Sequence, residues 1–165
     1  LLFQKVSVYE TILVPLDGSK RAEAILPHVE ELTRRFGAKV IFLQILEDAM
    51  VLGYDEVVDM STYQKGRDQR RKEAESYLAG LEGEFKEKRI SVQKIVSSYG
   101  SVVKSILDTA ERESANLIAM TSHGRGSLSR VFYGSVAAGV LHRIDRPLLI
   151  IRSREVESYS YITSE

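Results

Sequence analysis

The sequence predicts one α/β domain, a single doubly wound five-stranded parallel sheet with helices on both faces. Three observations predict it. Apolar runs without polar alternation recur along the chain, as strands buried on both faces require. Amphipathic helical patterns separate them, the alternation that βα crossovers produce. Neither an internal repeat nor a Pro/Gly/Ser-rich linker divides the 165 residues, a length suited to one domain.

The elements follow in order. Thr11 to Asp17 is an unbroken apolar run ending in an acid, flanked by Gly18 and Ser19, and reads as the first strand. Ser19 is placed to cap a helix carrying Ala22, Ile25, Leu26, Val29 and Phe36, which Gly37 would end as a left-handed cap. Val40 to Leu46 is a second buried strand. The pattern then changes over residues 47–89: an acidic stretch of low regularity containing Asp48, Asp55, Glu56 and Asp59, then a long polar helix with Ala74, Tyr77, Leu78, Leu81 and Phe85 on one face. Val92 to Ser97 reads as a weaker, alternating strand closed by Gly100. Val103, Ile106, Leu107 and Ala110 have helical spacing, and Asn116 to Met120 is the fourth strand. A Gly/Ser-rich stretch, Thr121 to Arg130, precedes a helix from about Ser135 to Arg143. Pro147 to Ile151 is the fifth strand. Residues 1–152 thus form one domain with 47–89 as an excursion inside it, and 153–165 a polar tail.

Composition excludes several classes. With 44% hydrophobic and 28% charged residues the chain is of ordinary globular type. Its 23 basic and 23 acidic residues cancel, whereas a general nucleic-acid binder shows a basic excess. The absence of cysteine removes disulfides, thiolate catalysis and Cys-type zinc sites. Apolar runs such as Leu148–Ile151 fall far short of the roughly 20 residues a membrane-spanning helix needs. These features together lead to the expectation of a cytoplasmic protein.

Open α/β sheets bind ligands beyond the carboxyl ends of their strands, where strand order reverses. Two segments suit such a place: Pro15-Leu16-Asp17-Gly18-Ser19 after the first strand, and Thr121 to Ser127 with Gly134-Ser135 after the fourth. Glycines permit close backbone approach, and helix starts offer free N–H groups to anions. The same residue types also serve ordinary βα turns and caps, so the motif by itself leaves both readings open. There is no Walker loop, no Gly-x-Ser-x-Gly elbow, and no metal-ligand spacing among His28, His123 and His142. Lys20 and Arg21 read as solvated surface, His123 as a structural hydrogen-bonding residue, and His28 and His142 as surface or packing residues.

Ile12 to Ser19, Met120-Thr121-Ser122-His123-Gly124, then nine residues, Gly134-Ser135-Val136, and Arg146 to Ile151 strongly resemble the universal stress protein family over roughly residues 9–152. The resemblance implies a Rossmann-like sheet of the adenine nucleotide alpha hydrolase-like type. In nucleotide-binding members the loop reads Gly, two residues, Gly, nine residues, Gly, then Ser or Thr. Here Thr121 replaces the first glycine, a departure near the implied ribose and phosphates. A β-branched residue there would narrow the pocket or force a different backbone angle.

By position, the resemblance implies an ATP site with Mg²⁺ carried on the phosphates. Pro15 and Asp17 would line the adenosine pocket, Asp17 accepting from a ribose hydroxyl, with Ile45 offering backbone groups to the adenine edge. Met120 and Thr121 would flank the ribose. Gly124, Gly134, Ser135 and Val136 would cradle the phosphates, with Arg125 and Ser127 as neighbours. The alternative role for Asp17 is to stabilise its own turn. The resemblance also implies a homodimer through the edge strand 147–152. The leading reading is an ATP-binding stress-response module in which binding would order the loop from Ser122 to Arg130 and present an altered surface to a partner or to the second subunit. Two other readings stand beside it: a nucleotide-free dimeric interaction protein, toward which Thr121 is a step, and a slow ATPase, for which no residue to position a water or nucleophile is evident.

Overall fold

The computed structural model describes residues 7–47, 60–98, 100–123 and 133–152. Within them the chain alternates β1 (Thr11–Leu16), α1 (Lys20–Glu23), α2 (Leu26–Phe36), β2 (Lys39–Leu46), α3 (Met60–Glu87), β3 (Val92–Ser98), α4 (Val102–Arg112), β4 (Leu117–Thr121), α5 (Ser135–Leu141) and β5 (Leu148–Ile151). The five strands form one sheet in the order β3-β2-β1-β4-β5, and every pairing is parallel. This is the doubly wound sheet that the apolar runs predict.

The runs lack polar alternation because both faces of the sheet are covered. Ile12, Val14 and Leu16 of β1, with Val40 and Phe42 of β2, join a core with Ala22 of α1, Val29 of α2 and Leu78, Leu81 and Phe85 of α3. Leu13, Ile41, Leu43, Ile118 and Met120 point the other way, into a second core with Ile106 and Ala110 of α4 and Ala137 and Val140 of α5. Successive side chains of a strand alternate faces, so each strand feeds both cores. The long α3 is polar overall yet is held on the sheet by its Ala74, Leu78, Leu81 and Phe85 stripe. Phe85 meets Phe42 edge-to-face at 5.1 Å, a geometry worth about 1 kcal/mol beyond the area it buries.

One predicted element divides. The helix expected from Ser19 to Phe36 is two helices, broken at Ala24–Ile25. Pro27 is the reason: it has no N–H to bond the carbonyl of Glu23, and its ring crowds that carbonyl, so it is tolerated only in a first turn. The cap predictions hold, with Ser19 Oγ accepting from the Ala22 N–H at 3.2 Å and Gly37 at φ +71° closing α2. Smaller differences lie at the ends. Asp17 falls outside β1, and α5 stops at Leu141 rather than Arg143. Asn116 precedes β4, where its Oδ1 accepts from the backbone N–H groups of Glu10 and Thr11 and so ties β4 to the start of β1. Pro147 likewise precedes β5.

Two contacts fix the second face. Arg146 donates to the Ala115 carbonyl at 2.8 Å and pairs with Glu111 at 2.6 Å and Asp145 at 2.8 Å, joining the end of α4 to the approach of β5. The hydrogen bond from Arg146 holds the Asp145 carboxyl below the usual carboxylate range. α4 and α5 approach closely at Gly139, where a β-carbon would lie 2.6 Å from Val103 Cγ2. Val103 is β-branched on a helix and has little freedom to turn away. Gly139→Ala is therefore expected to destabilise the fold by about 1 kcal/mol, overpacking outweighing the gain in helix propensity. In a Val103→Ala background the same substitution is expected to be neutral or stabilising, and urea denaturation of the four proteins in that cycle checks it.

Candidate functional site

The chain winds outward from β1 through β2 to β3, then returns to place β4 on the other side of β1. The strand order reverses between β1 and β4, where α/β sheets hold ligands. Register pairing between these two strands covers Ile12↔Leu117 and Leu13↔Ile118, whereas β1 and β2 stay paired to Leu16↔Gln44. Pro15, with no N–H to offer a ladder, sits where the pairing with β4 has stopped. A cavity of about 560 Å³ opens beyond these strand ends. That is within the size range of small-molecule sites, roughly 300–1,000 Å³.

The cavity brings together Pro15 and Asp17 from the end of β1, Ile45 from β2, Met120 and Thr121 from β4, and Gly134, Ser135 and Val136 from the start of α5. Gly124, Arg125 and Ser127 lie outside the described residues. Every predicted site residue that is described therefore lines the same cavity.

Local hydrogen bonding sets the shape of each wall. Asp17 Oδ1 accepts from the Ser19 N–H at 2.9 Å and from the Ser19 hydroxyl at 2.6 Å, while Ser19 Oγ caps α1. The turn-stabilising role of Asp17 is thus realised, and the carboxylate borders the cavity as well. On the other wall the Thr121 hydroxyl donates to the His123 carbonyl at 2.7 Å, and Ser122 Oγ lies 2.8 Å from His123 Nδ1. Thr121, Ser122 and His123 are all buried, and the Gly134 N–H returns to the Ser122 carbonyl at 2.8 Å. The turn after β4 is hence bonded to the start of α5. A β-carbon on Gly134 would come within 3.2 Å of that same Ser122 carbonyl.

Thr121 is not at a positive φ. The described non-glycine residues with positive φ are Arg89 and Ser114, and Thr121 is an ordinary end-of-strand residue in register with Ile151. The place does not demand glycine for its φ, and the extra hydroxyl is bonded within its own turn. Lys20 is exposed and pairs with Glu23 at 2.6 Å, as a surface reading expects, and His28 and His142 are exposed.

Several lining residues were not legible in the pattern. Gln44, about 9% exposed, interrupts the apolar run of β2 and carries a buried Oε1 with no hydrogen-bond partner among the described residues. An isolated polar residue in a buried strand was the available signal. Val102 and Ile106 of α4, Arg70 of α3 and Tyr133 also line the cavity. Nothing local distinguishes Val102, Ile106 and Arg70, because the packing of α3 and α4 brings them there, whereas Tyr133 directly precedes Gly134. Among the described residues no group of three or more His, Asp or Glu could hold a metal ion, and no helix is long and apolar enough to cross a membrane.

A parallel sheet with a cavity at its strand-order reversal and a Gly-Ser helix start defines a doubly wound α/β domain of the kind that holds ligands at that place. The sequence profile of the Universal stress protein family matches residues 8–152, and the chain belongs to that family. Universal stress protein MJ0577 of Methanocaldococcus jannaschii is 27% identical over 158 residues, covering 89% of this chain and 97% of that protein. Its solved structure superposes with a TM-score of 0.78 at 25% identity, over 90% of this chain and 99% of that one. UspA from Lactobacillus plantarum gives a TM-score of 0.74 at 22% identity, over 87% and 98%. A universal stress protein of Archaeoglobus fulgidus, solved in complex with dAMP, gives 0.64 at 20% identity, over 88% and 99%.

The turn after β4 can be tested directly. Thr121→Val keeps the β-branched shape and removes the donor to the buried His123 carbonyl. A loss of about 1 kcal/mol in urea denaturation is expected.

Proposed function

We propose that this protein is an adenine-nucleotide-binding regulatory module, with ATP as the ligand and Mg²⁺ carried on its phosphates. The observation that carries the reading is the convergence of Pro15, Asp17, Ile45, Met120, Thr121, Gly134, Ser135 and Val136, from four separate segments, on one cavity at the strand-order reversal. The relative crystallised with dAMP supports a nucleotide in a fold of this type.

In this reading the nucleotide lies across the strand ends. Its ribose rests near Asp17 and Met120, its phosphates near Gly134 and Ser135, and its base toward Ile45. Bound Mg²⁺ would screen charge on the phosphates. The residues present fit such a ligand: the cavity is of ligand size, and Gly134 leaves room beside the Ser122 carbonyl that a β-carbon would take. Binding rather than turnover is the proposed activity.

Thermal unfolding with millimolar Mg-ATP, AMP and GTP tests this. Ligand at about 100 times its dissociation constant adds roughly 2.7 kcal/mol to native stability. That corresponds to a rise in midpoint of about 5–10 °C for a domain of this size. The rise is expected with ATP and AMP, not with GTP. Gly134→Glu should abolish it while the protein stays folded. No rise on nucleotide-free protein would favour the second reading, an interaction module without nucleotide, for which the Thr121 replacement is the specific motivation.

We also propose a homodimer through the β5 edge. β5 lies at one end of the sheet, and its Leu148–Ile151 side chains are half-buried. An apolar strand with an open edge is a template for pairing. Light scattering at micromolar concentration should return twice the monomer mass, and an Ile150→Lys variant should return the monomer mass.

A further inference from the structure

The cavity has two unlike walls at its β2 end. α4 packs in one core and contributes Val102 and Ile106 to the cavity, while α3 packs in the core on the opposite face of the sheet and contributes Arg70. One side of the slot is lined by aliphatic side chains and the other by Arg70.

Arg70 differs from the arginines beside it. Arg67 lies over the Tyr63 ring, 5.8 Å from its centroid. Arg71 bonds Ser98 Oγ at 3.1 Å and pairs with Glu75 at 3.5 Å. Arg70 is half-buried, and its guanidinium makes no hydrogen bond or ion pair with the described residues. It stands between the cavity and a small adjoining polar pocket of about 40 Å³, bordered by Arg67, Arg71, Ser98 and Glu47. One part of the residue can therefore stay hydrated while another faces the cavity.

Position decides what it meets. Gly134 and Ser135 lie beyond β4, two strands across from β2, or about 10 Å. A nucleotide whose phosphates rest at Gly134 thus brings its base, not its phosphates, to the β2 end. A base is planar, uncharged and rich in π electrons. Guanidinium groups stack on such faces, and aliphatic side chains cover the other side.

We propose that Arg70 is a base-stacking residue, closing one face of the adenine while Val102 and Ile106 close the other. The proposal rests on the nucleotide reading above and adds to it a contact supplied by the long helix of the 47–89 excursion. Arg70 then contributes to affinity through the base and is indifferent to the number of phosphates.

The test compares wild-type protein with Arg70→Gln by calorimetric titration of adenosine, AMP and ATP at low and high salt. Arg70→Gln is expected to weaken all three ligands by the same factor, roughly three- to thirty-fold, with little dependence on salt. Its unfolding midpoint without ligand should match wild type, since the guanidinium has no hydrogen bond or ion pair among the described residues to lose. Loss of ATP affinity with adenosine unchanged would overturn the proposal and assign Arg70 to the phosphates. Unchanged affinity for all three would overturn it while leaving the nucleotide reading intact. A wild-type protein that binds none of them would remove both.

Discussion

The site depends on the place where the sheet stops pairing. A parallel sheet built outward from β1 in one direction and then in the other must leave β1 and β4 adjacent without a direct connection. Helices covering opposite faces then leave from neighbouring strand ends, and a crevice remains between them. In this chain the crevice is widened because register pairing between β1 and β4 ends at Leu13 and Ile118. Pro15 falls in the unpaired stretch, where its missing N–H costs no ladder bond. The cavity follows the winding order, and Pro15 fits the unpaired strand end beside it.

Around that crevice, residues fix backbone before they meet any ligand. Asp17 holds Ser19, and Ser19 holds the first turn of α1. Thr121 holds His123, and Ser122 holds Gly134. Two short relays therefore position the opposite walls of the cavity. These bonds fix the described parts of both walls without any ligand. The same relays explain why motif residues of this type so often have two correct descriptions. Asp17 stabilises its turn and also borders the cavity, and the two roles do not compete.

How much of this was legible follows from how far apart the cause and the effect lie in the chain. The unbroken apolar runs identified strands covered on both faces, because a strand's two faces are written in consecutive residues. Ser19 and Gly37 were readable as caps, because capping acts over three or four residues. The break at Ala24–Ile25 was also readable in principle, since Pro27 alone produces it, but the continuous apolar spacing through Ile25 and Val29 concealed it. Gln44 was visible as a polar interruption in β2, yet nothing nearby indicates what it faces. Arg70 was not legible at all. It sits in a run rich in charge, and nothing within that run distinguishes it from Arg67 or Arg71.

The sequence by itself determined the sheet class, the order of elements and the segments from which the site is made, because periodicity, capping and turn chemistry are local properties. It also carried the family, through the Gly124, Gly134 and Ser135 spacing and the strand-end Asp17. Tertiary structure alone decided which strands are neighbours, where pairing between β1 and β4 stops, and which helix residues reach the cavity. Those outcomes depend on which residues far apart in the chain come together, such as Arg70 and the end of β2 around one cavity and Val103 against Gly139. The backbone angle at Thr121 belongs to the same group. A substitution that looked disruptive in the motif is accommodated, because strand pairing with Ile151 sets its conformation and the His123 carbonyl takes its hydroxyl.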